Sequence, residues 1–81
     1  MKEIYKFSAS WCQPCKMLSK VMAGTELGVP VREIDIDDEF ELANKYQIRG
    51  VPTLVLLDDG VEVKRKSGMM QAPELKLFVE A

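Results

Sequence analysis

Cys12 and Cys15 are the only two thiols of the chain, and they stand two residues apart in SASWCQPCKM, Ser8 to Met17, with Trp11 directly before the first. Two thiols at this spacing can do three kinds of chemistry. They can exchange with another disulfide, supply half of a tetrahedral zinc site, or close a small permanent cross-link. The spacing alone fits zinc and redox use equally well, so the surroundings must decide.

Zinc is disfavoured by what the chain lacks. A structural site takes four nitrogen or sulfur ligands, and this sequence holds no histidine and no third cysteine. A permanent staple needs an oxidising compartment. The N-terminal MKEIYKFSAS interleaves charge with apolar residues and has no continuous apolar core of a secretory leader, and no run elsewhere could span a bilayer. A cytoplasmic protein with no membrane association is therefore expected, in which a cysteine pair serves catalysis or redox sensing.

The 81 residues, 47% apolar and 30% charged, suit one globular domain over 1–81 with a packed core. Eleven basic and 13 acidic residues give a formal charge of -2 with no basic block, which argues against direct contact with nucleic acid.

The elements that must position the thiols follow from periodicity. Glu3 to Phe7 alternates as a strand running into the SAS turn. From Cys12 onward Met17, Leu18, Val21 and Met22 recur at helical spacing, with Pro14 in the first turn and Gly24 at the end. VREIDID, 31 to 37, reads as a second strand with Val31, Glu33, Asp35 and Asp37 on one face and Arg32, Ile34 and Ile36 on the other. Asp38 with Glu41 predicts a capping box for a second helix that buries Phe40, Leu42, Ala43 and Tyr46 and ends near Gln47. Thr53 to Leu57 and Val61 to Lys66, joined by a DDG turn, predict an antiparallel hairpin. Pro73 opens a last helix with Leu75, Leu77, Phe78 and Val79 as its apolar face. The order βαβαββα, with a right-handed first crossover, predicts an α/β fold: a mixed four-stranded sheet flanked by three helices.

In that frame Cys12 sits at the first helix's N-terminus, among unpaired N–H groups and at the positive end of the helix dipole, which favours the thiolate. Cys12 is then the nucleophile. Cys15, three residues on and deeper, can reach it with Cα atoms about 5.5 Å apart and acts as the resolving thiol. Cys12 attacks a target disulfide, and Cys15 attacks the mixed disulfide to release the reduced target. The pair lies at a strand-to-helix junction, the usual location of function in α/β folds.

WCQPCK after a strand, the VPT at 51 to 53 and Gly68 after the hairpin together resemble the thioredoxin family, as does KYQIRGVPTLVLLDDG, Lys45 to Gly60. The resemblance covers nearly the whole chain. It implies a cis Val51–Pro52 peptide facing the cysteines, backbone pairing of Val51 with an extended substrate segment, and a groove formed by Trp11, Gln13, Pro14, Gly50, Pro52, Gly68 and Met69. It also implies a redox-active Cys12–Cys15 disulfide with no bound cofactor or metal, and a monomer. Disulfide-containing proteins would be the substrates, and an NADPH-dependent thioredoxin reductase would restore the dithiol.

The sequence departs from the family's common pattern in four respects. The chain opens at the strand leading into the cysteines, as glutaredoxins do, where the family's commonest form has a further strand and helix. The first helix region is about a turn shorter, and Lys20 stands where a kinking proline is common. Gln13 replaces the usual glycine within the motif. Lys6 stands where family members carry a buried aspartate, and Glu33 where the adjacent strand carries lysine. This swap predicts that Glu33 takes the Cys15 proton while Lys6 offsets the cost of burying the carboxylate.

Two other functions compete. Glutathione could recharge a glutaredoxin-like protein, although a Met, not an Asp, follows Gly68. A thioredoxin fold can also serve as a binding module, for example in a polymerase assembly, with redox turnover incidental. The direction of exchange depends on the potential of the couple, which the residues between the cysteines do not reveal.

Overall fold

The computed structural model describes residues 1–80. Strands β1 (Lys2–Ser8), β2 (Val31–Asp35), β3 (Thr53–Asp58) and β4 (Val61–Ser67) alternate with helices α1 (Gln13–Ala23), α2 (Phe40–Lys45) and α3 (Ala72–Phe78) in the order βαβαββα. The sheet order is β2-β1-β3-β4. β1 pairs in parallel with β2, Lys6 opposite Glu33, and antiparallel with β3, Lys6 opposite Leu54. The predicted mixed four-stranded sheet with three helices is the one found.

Alternation along the strands divides the apolar residues between the two faces. Ile4, Leu54 and Leu56 meet Leu18 of α1 and Leu75 and Phe78 of α3 on one side. Phe7, Ile34, Val55 and Leu57 meet Ala43 of α2 on the other, where Tyr5 and Tyr46 complete an aromatic cluster with Phe7. The continuous apolar run of β3 reflects its central position with both faces covered.

Four sequence expectations are corrected. β2 stops at Asp35, not Asp37, because the Asp35 side chain accepts the Asp37 N–H at 2.8 Å and its carbonyl accepts those of Asp38 and Glu39, which turns the chain. The Asp38–Glu41 capping box does not form: α2 begins at Phe40 behind Glu39, with no side-chain cap.

The same helix ends at Lys45, with Gln47 at φ 54°. Gln47 N–H bonds to the Asn44 carbonyl and Ile48 N–H to that of Ala43, so a left-handed residue closes the helix two positions early. Phe40 and Leu77 are exposed rather than buried, at 60% and 65%. Phe40 lies on a concavity it shares with Arg32 of the edge strand β2, beyond the covered sheet. Leu75 and Phe78 alone fill the buried side of α3.

The hairpin turns through Asp59 and Gly60, both at positive φ (51° and 83°), the conformation that a two-residue connection between twisted strands requires. A bulge at Val63 shifts the register so that Glu62 opposes Leu57 and Arg65 opposes Val55, on the same face. Arg65 donates to both Glu62 oxygens at 2.6 and 2.8 Å, holding the Glu62 carboxyl below its ordinary range. This stability is present above the unfolded value of about 4.3 and is lost as pH falls through the lower folded value. Glu62→Gln is expected to destabilise the protein at pH 7 by about 0.2–1 kcal/mol and to have no such effect at pH 2, as read by urea denaturation.

Candidate functional site

The parallel pairing of β1 and β2 leaves the C-terminal end of β1 open, and the chain turns there through Ala9 to Trp11 into α1. Cys12 is the N-cap of α1, with extended backbone (φ -93°, ψ 107°), and its Sγ accepts the Cys15 N–H at 3.2 Å. Gln13 and Pro14 occupy the first two helical positions, where the proline's missing donor is not needed. Cys12 and Cys15 form a disulfide with Cα atoms 5.3 Å apart. The backbone N–H and the dipole of α1 both favour negative charge on Cys12 Sγ when that bond opens.

Both cysteines are buried, Cys12 at 5% exposure and Cys15 at 2%, so the difference in depth between them is small. Ala9, Ile36 and Val51 form their apolar surround. The Val51–Pro52 peptide is cis, and the Val51 carbonyl oxygen lies 3.7 Å from Cys12 Sγ. Hydrogen bonds from Gly68 N–H to the Pro52 carbonyl (2.9 Å) and from Thr53 Oγ1 to the Gly50 carbonyl (2.7 Å) fix this loop. Gly68 takes φ +94°, a conformation glycine adopts freely. Met69 is not part of the cysteine surround; it packs against the α1–α3 core, as does fully buried Met70.

Trp11 is 67% exposed beside the disulfide, and its indole N–H donates to Asp37 Oδ2 at 3.0 Å. Asp37 was not singled out in the sequence. The sequence puts it at the end of the second strand and carries no sign of this contact.

Lys6 and Glu33 meet, with Nζ to Oε1 at 3.0 Å and to Oε2 at 3.1 Å. Their burial is the reverse of the expectation. Lys6 is 1% exposed, while the Glu33 side chain is 58% exposed, because β1 is an inner strand and β2 an edge. Lys6 Nζ also donates to Ser19 Oγ at 2.6 Å, a contact the sequence signalled only through the four-residue spacing of Ser19 from Cys15. Lys6, Cys15, Ser19 and Glu33 line one recess of about 190 Å³. A larger concavity of about 550 Å³, between Arg32, Phe40, Leu42 and Lys45, lies away from the cysteines. Among the described residues no group of three or more His, Cys, Asp or Glu could hold a metal ion, and no helix is long and apolar enough to cross a membrane.

The family model for thioredoxin matches residues 2–81. The chain belongs to the thioredoxin family. A thioredoxin of Chlamydia trachomatis is 38% identical over 72 residues, covering 85% of this chain and 71% of that protein. A thioredoxin-like protein of Synechocystis is 40% identical over 73 residues, covering 85% and 70%. The structure of a mutant thioredoxin from Halobacterium salinarum superimposes with a TM-score of 0.89 at 38% identity, covering 98% of this chain and 72% of that one. The protein is thus a thiol–disulfide oxidoreductase whose redox group is its own Cys12–Cys15 disulfide. Membership in the thioredoxin family implies disulfide-bearing protein substrates and a thioredoxin reductase as partners.

Proposed function

We propose that the chain acts as a single-domain, monomeric protein-disulfide reductase in the cytoplasm, recharged by an NADPH-dependent thioredoxin reductase. The observation that carries this reading is the placement of Cys12 Sγ at the N-cap of α1, under the Cys15 N–H and 3.7 Å from the Val51 carbonyl. In the dithiol form the Cys12 thiolate attacks a substrate disulfide, and Cys15 attacks Cys12 Sγ to expel the substrate thiolate. An extended substrate strand lies along Val51, between Trp11 and the Gly50 and Gly68 backbone. Gln13 and Pro14 form the rim of that surface. Glu33, across the recess from Cys15, takes the Cys15 proton through water.

The test is NADPH consumption with insulin as the disulfide substrate, in the presence of a bacterial thioredoxin reductase or of glutathione with its reductase. Faster turnover in the first system is expected. Turnover only in the second would replace this reading with a glutaredoxin-like one, and turnover in neither would favour a binding role. In the same assay Glu33→Gln is expected to move the pH profile of exchange, and an unchanged profile would remove Glu33 from the mechanism.

A further inference from the structure

Lys6 is the only charged side chain among the described residues that is fully buried, and the exchange reaction above makes no use of its charge. An ammonium group has three N–H donors. Here they face Ser19 Oγ at 2.6 Å and Glu33 Oε1 and Oε2 at 3.0 and 3.1 Å, so the cation is held at one point beneath α1. The two members of the ion pair occupy different media. The lysine is 1% exposed and the carboxylate 58%. Water screens the carboxylate, whereas the field of the buried ammonium passes through protein, so the pair presents net positive potential to its interior neighbours.

The neighbour that changes charge during the reaction is Cys15. It lies one helical turn before Ser19 and lines the same recess as Lys6. Two other charged residues reach that recess. Lys16 is exposed; Asp35 is half-buried, and its Oδ1 accepts the Asp37 N–H at 2.8 Å.

We propose that the buried Lys6 ammonium, held by Ser19 and Glu33, stabilises the Cys15 thiolate and makes the Cys12–Cys15 couple more oxidising than a neutral side chain in its place would. Lys6 acts as a positioning residue for charge, since it contacts neither substrate nor sulfur. When a reductant thiolate attacks Cys12 Sγ, a bond forms between that sulfur and the reductant. The Cys12–Cys15 bond breaks, and Cys15 leaves with the electron pair as a thiolate. A second reductant thiolate then releases Cys12, giving the dithiol and an oxidised reductant. Lys6 lowers the energy of the Cys15 thiolate as it leaves in the first step and, in the reduced product, of the form in which Cys15 has given up its proton, whereas the neutral disulfide gains nothing from it.

This inference rests on the exchange roles of Cys12 and Cys15 proposed above. It is tested by equilibrating the chain with reduced and oxidised glutathione and counting free thiols by alkylation. Lys6→Met, similar in length and uncharged, is expected to shift the exchange constant about tenfold toward the disulfide, equivalent to about 30 mV for this two-electron couple. Glu33→Gln, which removes the screened partner and keeps the cation, is expected to shift it the opposite way. This exposed substitution also keeps the test decisive should Lys6→Met fail to fold. An unchanged constant in Lys6→Met, or shifts of the same sign in both variants, would overturn the inference while leaving the exchange roles intact. If the unsubstituted chain does not equilibrate with glutathione at all, both readings fall together.

Discussion

Cys15→Ser is expected to turn the protein from a catalyst into a trap. Cys12 keeps its N-cap position and its hydrogen bond from residue 15 N–H, so it still attacks a substrate disulfide. With no thiol at 5.3 Å in Cα separation to resolve the adduct, the mixed disulfide accumulates. Steady-state reduction of insulin should fall at least a hundredfold, the scale on which loss of a reacting group acts. Mass spectrometry should find one equivalent of substrate joined to Cys12. Cys12→Ser should be equally inactive and trap nothing, because Cys15, inside the first turn of α1, receives no N-cap stabilisation comparable to that of Cys12. A trapped adduct on Cys15 in that variant would reverse the assignment of nucleophile and resolver.

The second large effect concerns stability. Phe7 is fully buried near the C-terminal end of β1, with its ring 6.3 Å from that of Tyr5 and 5.9 Å from that of Tyr46 at the end of α2. Phe7→Ala leaves a cavity between the sheet and a helix of only six residues. The expected loss is about 3–5 kcal/mol. Set against a total stability of roughly 5–15 kcal/mol for a natural domain, it should bring the protein close to unfolding at 37 °C. Urea denaturation reads the loss directly. Phe40→Ala, at 60% exposure on the same helix, provides the contrast and is expected to change stability by about 0.5 kcal/mol or less. Similar losses in the two variants would mean that α2 does not depend on the Phe7 cluster.

The difference between these two phenylalanines shows where sequence reasoning succeeds and where it stops. Phe7 belongs to a strand whose alternation assigns it a face, and that face is covered. Phe40 satisfies helical periodicity equally well, yet it lies at the first residue of α2, on a concavity beside the edge strand. Periodicity assigns a side of an element without saying whether another element covers it. The hairpin was legible because Asp59-Gly60 suits the positive φ values its turn demands. The early stop of α2 was not, because Gln47 takes a left-handed conformation without being glycine.

The cysteine site divides in the same way. Three residues of separation, a proline in the first turn and a preceding strand already determine that Cys12 caps a helix and that Cys15 can reach it, since local backbone geometry sets both. The Val51 carbonyl reaches Cys12 from 39 positions away, through a loop tied down by Thr53 and Gly68. Likewise Lys6, Ser19 and Glu33 come from three different elements. The resemblance to the thioredoxin family implied a lysine and a glutamate facing each other near the thiols. Which of them lost its water was decided by strand order: β1 has neighbours on both sides, β2 has one, and a side chain on the edge strand keeps the solvent that an inner one gives up.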